Sequence, residues 1–97
     1  MLLPIRFNDG KRIPKELFAD ALLELEAKFG AVSSETQIIH GSWRYKGKSF
    51  RDDLVRIYVD AADTKMNRRF FVAFKERLKA RFRQLDIWMT TYLVELI

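Results

Sequence analysis

The chain has 97 residues, of which 48% are hydrophobic, and this length and apolar content suit one folded domain with its own core. It contains no cysteine, which excludes disulfide bonds, thiolate zinc sites, iron–sulfur clusters and cysteine nucleophiles. The formal net charge of +5 makes a nucleic acid or an acidic protein a candidate partner.

The sequence lacks targeting and linker signals. Its first ten residues have neither a basic region nor a long apolar run, and no stretch approaches the roughly 20 apolar residues of a membrane span. No repeat, low-complexity tract or Pro/Gly/Ser-rich linker divides the chain. We therefore predict a single domain over residues 1–97 in a cytoplasmic protein with no membrane partner.

The first two predicted elements are a strand and a helix. Leu2 to Phe7 is a short apolar run that stops at the turn signal Asn8-Asp9-Gly10, which is typical of a strand. Pro14 then suits the first turn of a helix, and Gly30 suits its C-terminal cap. The apolar stripe of this helix consists of Leu17, Phe18, Ala21, Leu22, Leu25 and Phe29, and its opposite side carries Glu16, Asp20, Glu24 and Glu26.

A β-hairpin is predicted next. The pattern from Thr36 to Tyr45 is β-like, the turn residues Lys46-Gly47-Lys48 follow, and Leu54 to Val59 forms the second strand. Alternation along the second strand places Val55, Ile57 and Val59 on one face, and Arg56 and Tyr58 on the other. One face of the hairpin is therefore expected to be buried.

The last two predicted elements are a basic helix and an apolar strand. Asp63 or Thr64 can cap the helix, and its apolar stripe runs from Phe70 to Phe82. Between Thr64 and Arg83 lie eight of the eighteen Lys and Arg residues, against one acid, Glu76. The last segment, Asp86 to Ile97, is rich in aromatic and β-branched residues and predicts a final strand.

The resulting order is β-α-β-β-α-β. It predicts an α+β protein with the ferredoxin-like split βαβ arrangement, a four-stranded antiparallel sheet that carries two helices on one face. The expected strand order is 4-1-3-2, with the Trp43 strand and the final strand at the edges. The acidic and basic helices then lie side by side, so the acidic residues of the first helix are expected to neutralise part of the positive charge of the second.

Three segments carry a resemblance to other proteins. HGSWRYKGKSFRDDLVRIYVD, FKERLKARFRQLDIWMT and the early FNDG turn resemble a group of short bacterial proteins known only as hypothetical. The resemblance covers most of the chain and implies a bacterial origin. It implies no activity and no role for any residue.

A first candidate site surrounds His40, the only histidine. An imidazole acid or base would use His40, with Asp52 or Asp53 from the facing strand and Arg56 as an anion anchor. The alternative is a solvent-facing histidine on an edge strand. A second histidine is missing and no spaced carboxylate loop is present, so we predict no metal site and no cofactor.

A second candidate is a nucleic-acid surface on the basic helix. Arg68, Lys75, Lys79 and Arg83 recur near one outward face and are the candidate phosphate contacts. The recognised RNA-stacking motif of ferredoxin-like sheets has no counterpart in the second hairpin strand. The alternative is a solvated helix face that preserves solubility.

The uncovered face of the sheet is the third candidate. The final strand is apolar on both faces and has no lysine or proline to protect an edge, so we expect a homodimer with Trp88, Tyr92 and Val94 in the interface. The favoured function is therefore a non-enzymatic, self-associating binding module. The alternatives are a cofactor-free enzyme with a dimer pocket near His40 and Trp43, and a nucleic-acid accessory protein that uses the basic helix.

Overall fold

The computed structural model describes residues 1–97 and has the predicted α+β class, with a four-stranded antiparallel open sheet and two helices in an order compatible with a ferredoxin-like arrangement. The elements are β1 (Leu2–Pro4), α1 (Lys15–Phe29), β2 (Ser33–Ser34), β3 (Ile39–Tyr45), β4 (Lys48–Tyr58) and α2 (Lys65–Phe82).

The first helix has the boundaries that its end residues predict. Pro14 lies at the N-terminal cap, where its missing N–H costs no hydrogen bond, and Leu17 donates to its carbonyl. Gly30 has a φ of 83° and donates its N–H to Glu26 O at 2.8 Å. Glycine suits this position because the left-handed conformation there has no Cβ penalty.

β4 is the centre of the sheet. β1 pairs along one edge of it, with Leu3 opposite Val55, whereas β2 and β3 follow each other along the other edge. The alternation predicted for this strand is confirmed, since Ile57 is buried and Tyr58 is exposed. The second hairpin strand is predicted to lie between the first strand and the first hairpin strand, and β4 does lie between β1 and β3.

α2 begins as predicted. The Thr64 hydroxyl accepts a hydrogen bond from the N–H of Asn67 at 3.1 Å, which satisfies one of the free amide groups at the helix start. Both helices pack on the sheet face that Leu3 and Ile57 share. The buried hydrophobic cluster consists of Leu3, Ile13, Ala21, Leu25, Ile57, Phe74, Leu78, Phe82 and Ile87.

Charges of opposite sign meet between the two helices, as the sequence predicts. Arg81 donates two hydrogen bonds to the carboxylate of Glu24, at 2.5 and 3.1 Å, and Arg77 approaches the same carboxylate at 3.7 Å. The hydrogen bonds from Arg81 lower the pKa of Glu24 below its ordinary value. Part of the charge of α2 is therefore neutralised inside the fold.

The prediction of a final strand is wrong, because residues 87–97 form no strand. The fourth strand of the sheet is instead the short β2. The segment does lie at the expected edge of β1, where the N–H of Leu2 donates to Trp88 O at 2.9 Å. Backbone groups alternate between the two sides of a strand, so the next position of β1 on that edge is Pro4. Proline has no N–H to continue the ladder.

Candidate functional site

His40 and Asp53 form a polar pair on the β3–β4 hairpin. They are opposite each other in the strand register, and His40 Nδ1 lies 2.7 Å from Asp53 Oδ1. The His40 side chain is 82% exposed. Direct cross-strand pairing explains the contact, since such side chains lie about 4.5–5.5 Å apart at Cβ.

The neighbouring carboxylate faces the other side of the sheet. Trp43 Nε1 donates to Asp52 Oδ2 at 2.7 Å. Because successive side chains of a strand alternate between faces, Asp52 and Asp53 point to opposite faces of the sheet. A shallow cleft of about 420 Å³ lies along this part of the hairpin, and its lining contains no hydrophobic residue.

Arg56 does not join His40. It lies on the same sheet face as Asp52, and its guanidinium binds Glu35 at 3.1 Å. Glu35 was missed in the sequence because it lies in the connection between β2 and β3, where no periodicity shows which strand it meets. The structure therefore brings together two of the three proposed catalytic residues, His40 and Asp53, and places Arg56 elsewhere.

The reactive groups at His40 are a solvent-accessible imidazole and the carboxylate of Asp53 that contacts it. No hydroxyl group is hydrogen-bonded to the ring as a nucleophile, and no enclosed apolar pocket adjoins it. No group of three His, Asp or Glu side chains is placed to hold a metal ion. The site lacks the exclusion of water that strengthens electrostatic catalysis.

Replacing His40 by Ala is expected to change the free energy of unfolding by no more than about 0.5 kcal/mol, the usual range for surface sites. The side chain is exposed and its partner Asp53 is partly solvated, so loss of the imidazole leaves no buried charge. Urea denaturation of the two proteins measures the difference. A loss of several kcal/mol would contradict this surface role.

The four candidate phosphate contacts of α2 are each engaged within the protein. Arg68 binds Asp63 at 3.0 Å, and the Arg83 guanidinium lies over the Phe7 ring at 4.9 Å. Two lysines are paired and partly covered, Lys75 with Asp86 at 3.1 Å and Lys79 with Glu76 at 3.3 Å. The hydrogen bond from Lys75 lowers the pKa of Asp86.

The three candidate interface residues of the C-terminal segment are exposed. The exposed fractions are 67% for Trp88, 73% for Tyr92 and 58% for Val94. Together with the end of β4 and the start of α2, this segment borders an open cleft of about 710 Å³ that is lined mainly by hydrophobic residues.

Neither helix combines the length and apolar character that a bilayer-spanning helix needs. No protein-family model, curated protein or solved structure matches this chain.

Proposed function

We propose that this protein is a non-enzymatic binding module that self-associates as a homodimer through its C-terminal segment. The observation that carries the proposal is the exposed apolar surface of residues 88–97. Its exposed large hydrophobic side chains are Trp88, Tyr92, Leu93, Val94, Leu96 and Ile97. Glu95 is the one charged residue of this segment.

Six large exposed apolar side chains within ten consecutive residues favour an interface. Isolated exposed apolar side chains are common on proteins, whereas large contiguous patches mark sites of association. The adjacent cleft supplies a concave surface, bordered by Met89 and Phe71, that a second copy of the segment can fill. A dimer that buries about 1,200 Å² or more in total would be stable, with Trp88 and Tyr92 as its anchors.

The backbone supports the same edge as the interface. A single hydrogen bond, from Leu2 to Trp88, joins β1 to the segment. The residues after Trp88 form no strand, so many of their amide and carbonyl groups are free to pair with another chain. A non-enzymatic role fits the open, solvent-exposed position of His40 better than catalysis does.

We also infer a bacterial, cytoplasmic setting. The resemblance to short bacterial proteins supports the origin, and the absence of cysteine is compatible with a reducing compartment. A dimeric binding module without disulfides needs neither an oxidising environment nor a membrane partner.

Sedimentation velocity of the intact protein, from low to high micromolar concentration, tests the dimer. Replacing Tyr92 by Lys should weaken self-association at least about tenfold, because the change places a charge among apolar contacts at a predicted anchor. The matched control is Tyr45→Lys, an equivalent change at an exposed tyrosine near the hairpin tip.

The control variant should dimerise like the unchanged protein. A protein that remains monomeric at high micromolar concentration would overturn the proposal. So would a dimer that responds equally to both substitutions, because the C-terminal segment would then not be its interface.

A further inference from the structure

The β3–β4 hairpin carries a dense cluster of basic side chains. Residues 36–51 contain no acidic residue and four basic ones, Arg44, Lys46, Lys48 and Arg51. All four are exposed, and none of them takes part in a salt bridge. In α2, by contrast, acids pair with most of the basic side chains.

Two of these cations are neighbours on one face of the hairpin. Arg44 is opposite Ser49, and Arg51 is opposite Ser42, so the two guanidinium groups extend from diagonal positions of the same face. Diagonal positions lie about 7–8 Å apart, within reach of long side chains. Two arginines at such positions can therefore both contact one anion.

The opposite face of the hairpin is aromatic. The rings of Trp43 and Phe50 stack with their centroids 4.7 Å apart, and Tyr45 lies 6.3 Å from Trp43. Tyr45 is exposed, and the Lys46 ammonium lies 5.4 Å from its ring centroid. The hairpin therefore presents cations and an accessible aromatic surface within a few residues of each other.

The turn holds this surface in a defined shape. Lys46 and Gly47 have φ values of 49° and 77°, the positive angles that two-residue hairpin turns require. Tyr45 and Lys48 are paired directly across the turn. Lys46 and Lys48 are consequently fixed at the tip, beyond the two arginines.

We propose that the β3–β4 hairpin binds single-stranded nucleic acid. The lysines near the tip and the two arginines on the other face contact phosphates, and the exposed Tyr45 ring, with the half-buried Trp43 beside it, stacks against an unpaired base. Surfaces that bind single strands combine these two features, a positively charged path and aromatic side chains. Duplexes keep their bases stacked inside and offer the rings no partner, which favours the single strand.

This proposal names the ligand of the binding module but does not depend on the dimer. The two ideas concern opposite parts of the molecule, the hairpin and the C-terminal segment. The Tyr92→Lys variant should therefore keep the affinity of each single copy for a labelled oligonucleotide. It should lose only the additional affinity that a dimer gains by binding with two hairpins. Loss of self-association with retained binding would separate the two proposals.

Fluorescence anisotropy with a labelled single-stranded oligonucleotide, at low and moderate salt, measures the affinity. The double variant Arg44→Gln/Arg51→Gln should bind at least about tenfold more weakly. It should also reduce the slope of log K against log salt by about 1.4, since each lost single-strand phosphate contact contributes about 0.7. Thermal unfolding checks that the variant remains folded.

The matched control removes two charges from α2 instead. Lys65 and Arg69 are exposed and take part in no salt bridge, so Lys65→Gln/Arg69→Gln causes the same loss of net charge. Affinity should then fall by less than about twofold, because these side chains are not part of the hairpin. Equal losses in the two double variants would overturn the proposal, since binding would then follow net charge alone.

A spectroscopic measurement tests the aromatic part. In a Trp88→Phe background, Trp43 is the remaining tryptophan, and its fluorescence should change when the oligonucleotide binds. Three further results would overturn the proposal: no binding at low salt, equal affinity for a duplex of the same length, or stronger binding to anionic lipid vesicles.

Discussion

Replacing Phe74 by Ala is expected to lower the free energy of unfolding by about 3–5 kcal/mol, the range measured for large-to-small changes of buried aromatic residues. Phe74 has no exposed surface and lies in the buried cluster between the helices and the sheet. Its ring stacks with that of Phe70, with 5.5 Å between centroids. The substitution removes these contacts and leaves a cavity.

Chemical denaturation of the Phe74→Ala protein measures this loss, and Val72→Ala is the matched control. Val72 lies in the same helix but is exposed, and alanine has the higher helix propensity, so its replacement should change stability by less than about 0.5 kcal/mol. A similar loss in both variants would indicate that helix formation, and not burial, determines the effect.

Replacing Ile87 by Ala should cost about 2–4 kcal/mol, because a buried aliphatic side chain is truncated. Ile87 is 2% exposed and belongs to the same cluster as Leu3 and Phe74, although it lies outside every helix and strand. It anchors the C-terminal segment next to β1. The hydrogen bond from Leu2 to Trp88, one residue away, should weaken as well.

Hydrogen exchange at the Leu2 amide reports that second effect and should become faster in the Ile87→Ala protein. The control is Leu85→Ala, two residues earlier in the same segment, where the side chain is exposed. Unchanged stability of the Ile87 variant, or unchanged exchange at Leu2, would show that the segment is held by contacts other than this anchor.

The distribution of charge illustrates how far the sequence alone can be interpreted. The sequence locates the densest run of basic residues in α2, and that location is correct. Two of the pairs are local, but the other three depend on residues outside the helix: Glu24 of α1 meets Arg77 and Arg81, and Asp86 meets Lys75. Local spacing contains no information about such contacts.

The candidate site shows the same division. The predicted turn at Lys46-Gly47-Lys48 places His40 near Asp52 and Asp53. The pairing of the two strands puts Asp53, and not Asp52 or Arg56, on the same face as His40. The contact of Glu35 with Arg56 follows from the tertiary structure, because the pairing of β2 with β4 brings Glu35 next to Arg56.

The sequence by itself determined the local elements: α1 between Pro14 and Gly30, the β3–β4 hairpin, the apolar stripe of α2 and the α+β class. Each depends on interactions between residues close in the chain, such as caps, turns and side-chain periodicity. The tertiary structure decided the state of residues 87–97, whose β propensity is high but which form no strand. A strand needs a partner with free donors, and the available edge of β1 offers Leu2 and then Pro4, which has none.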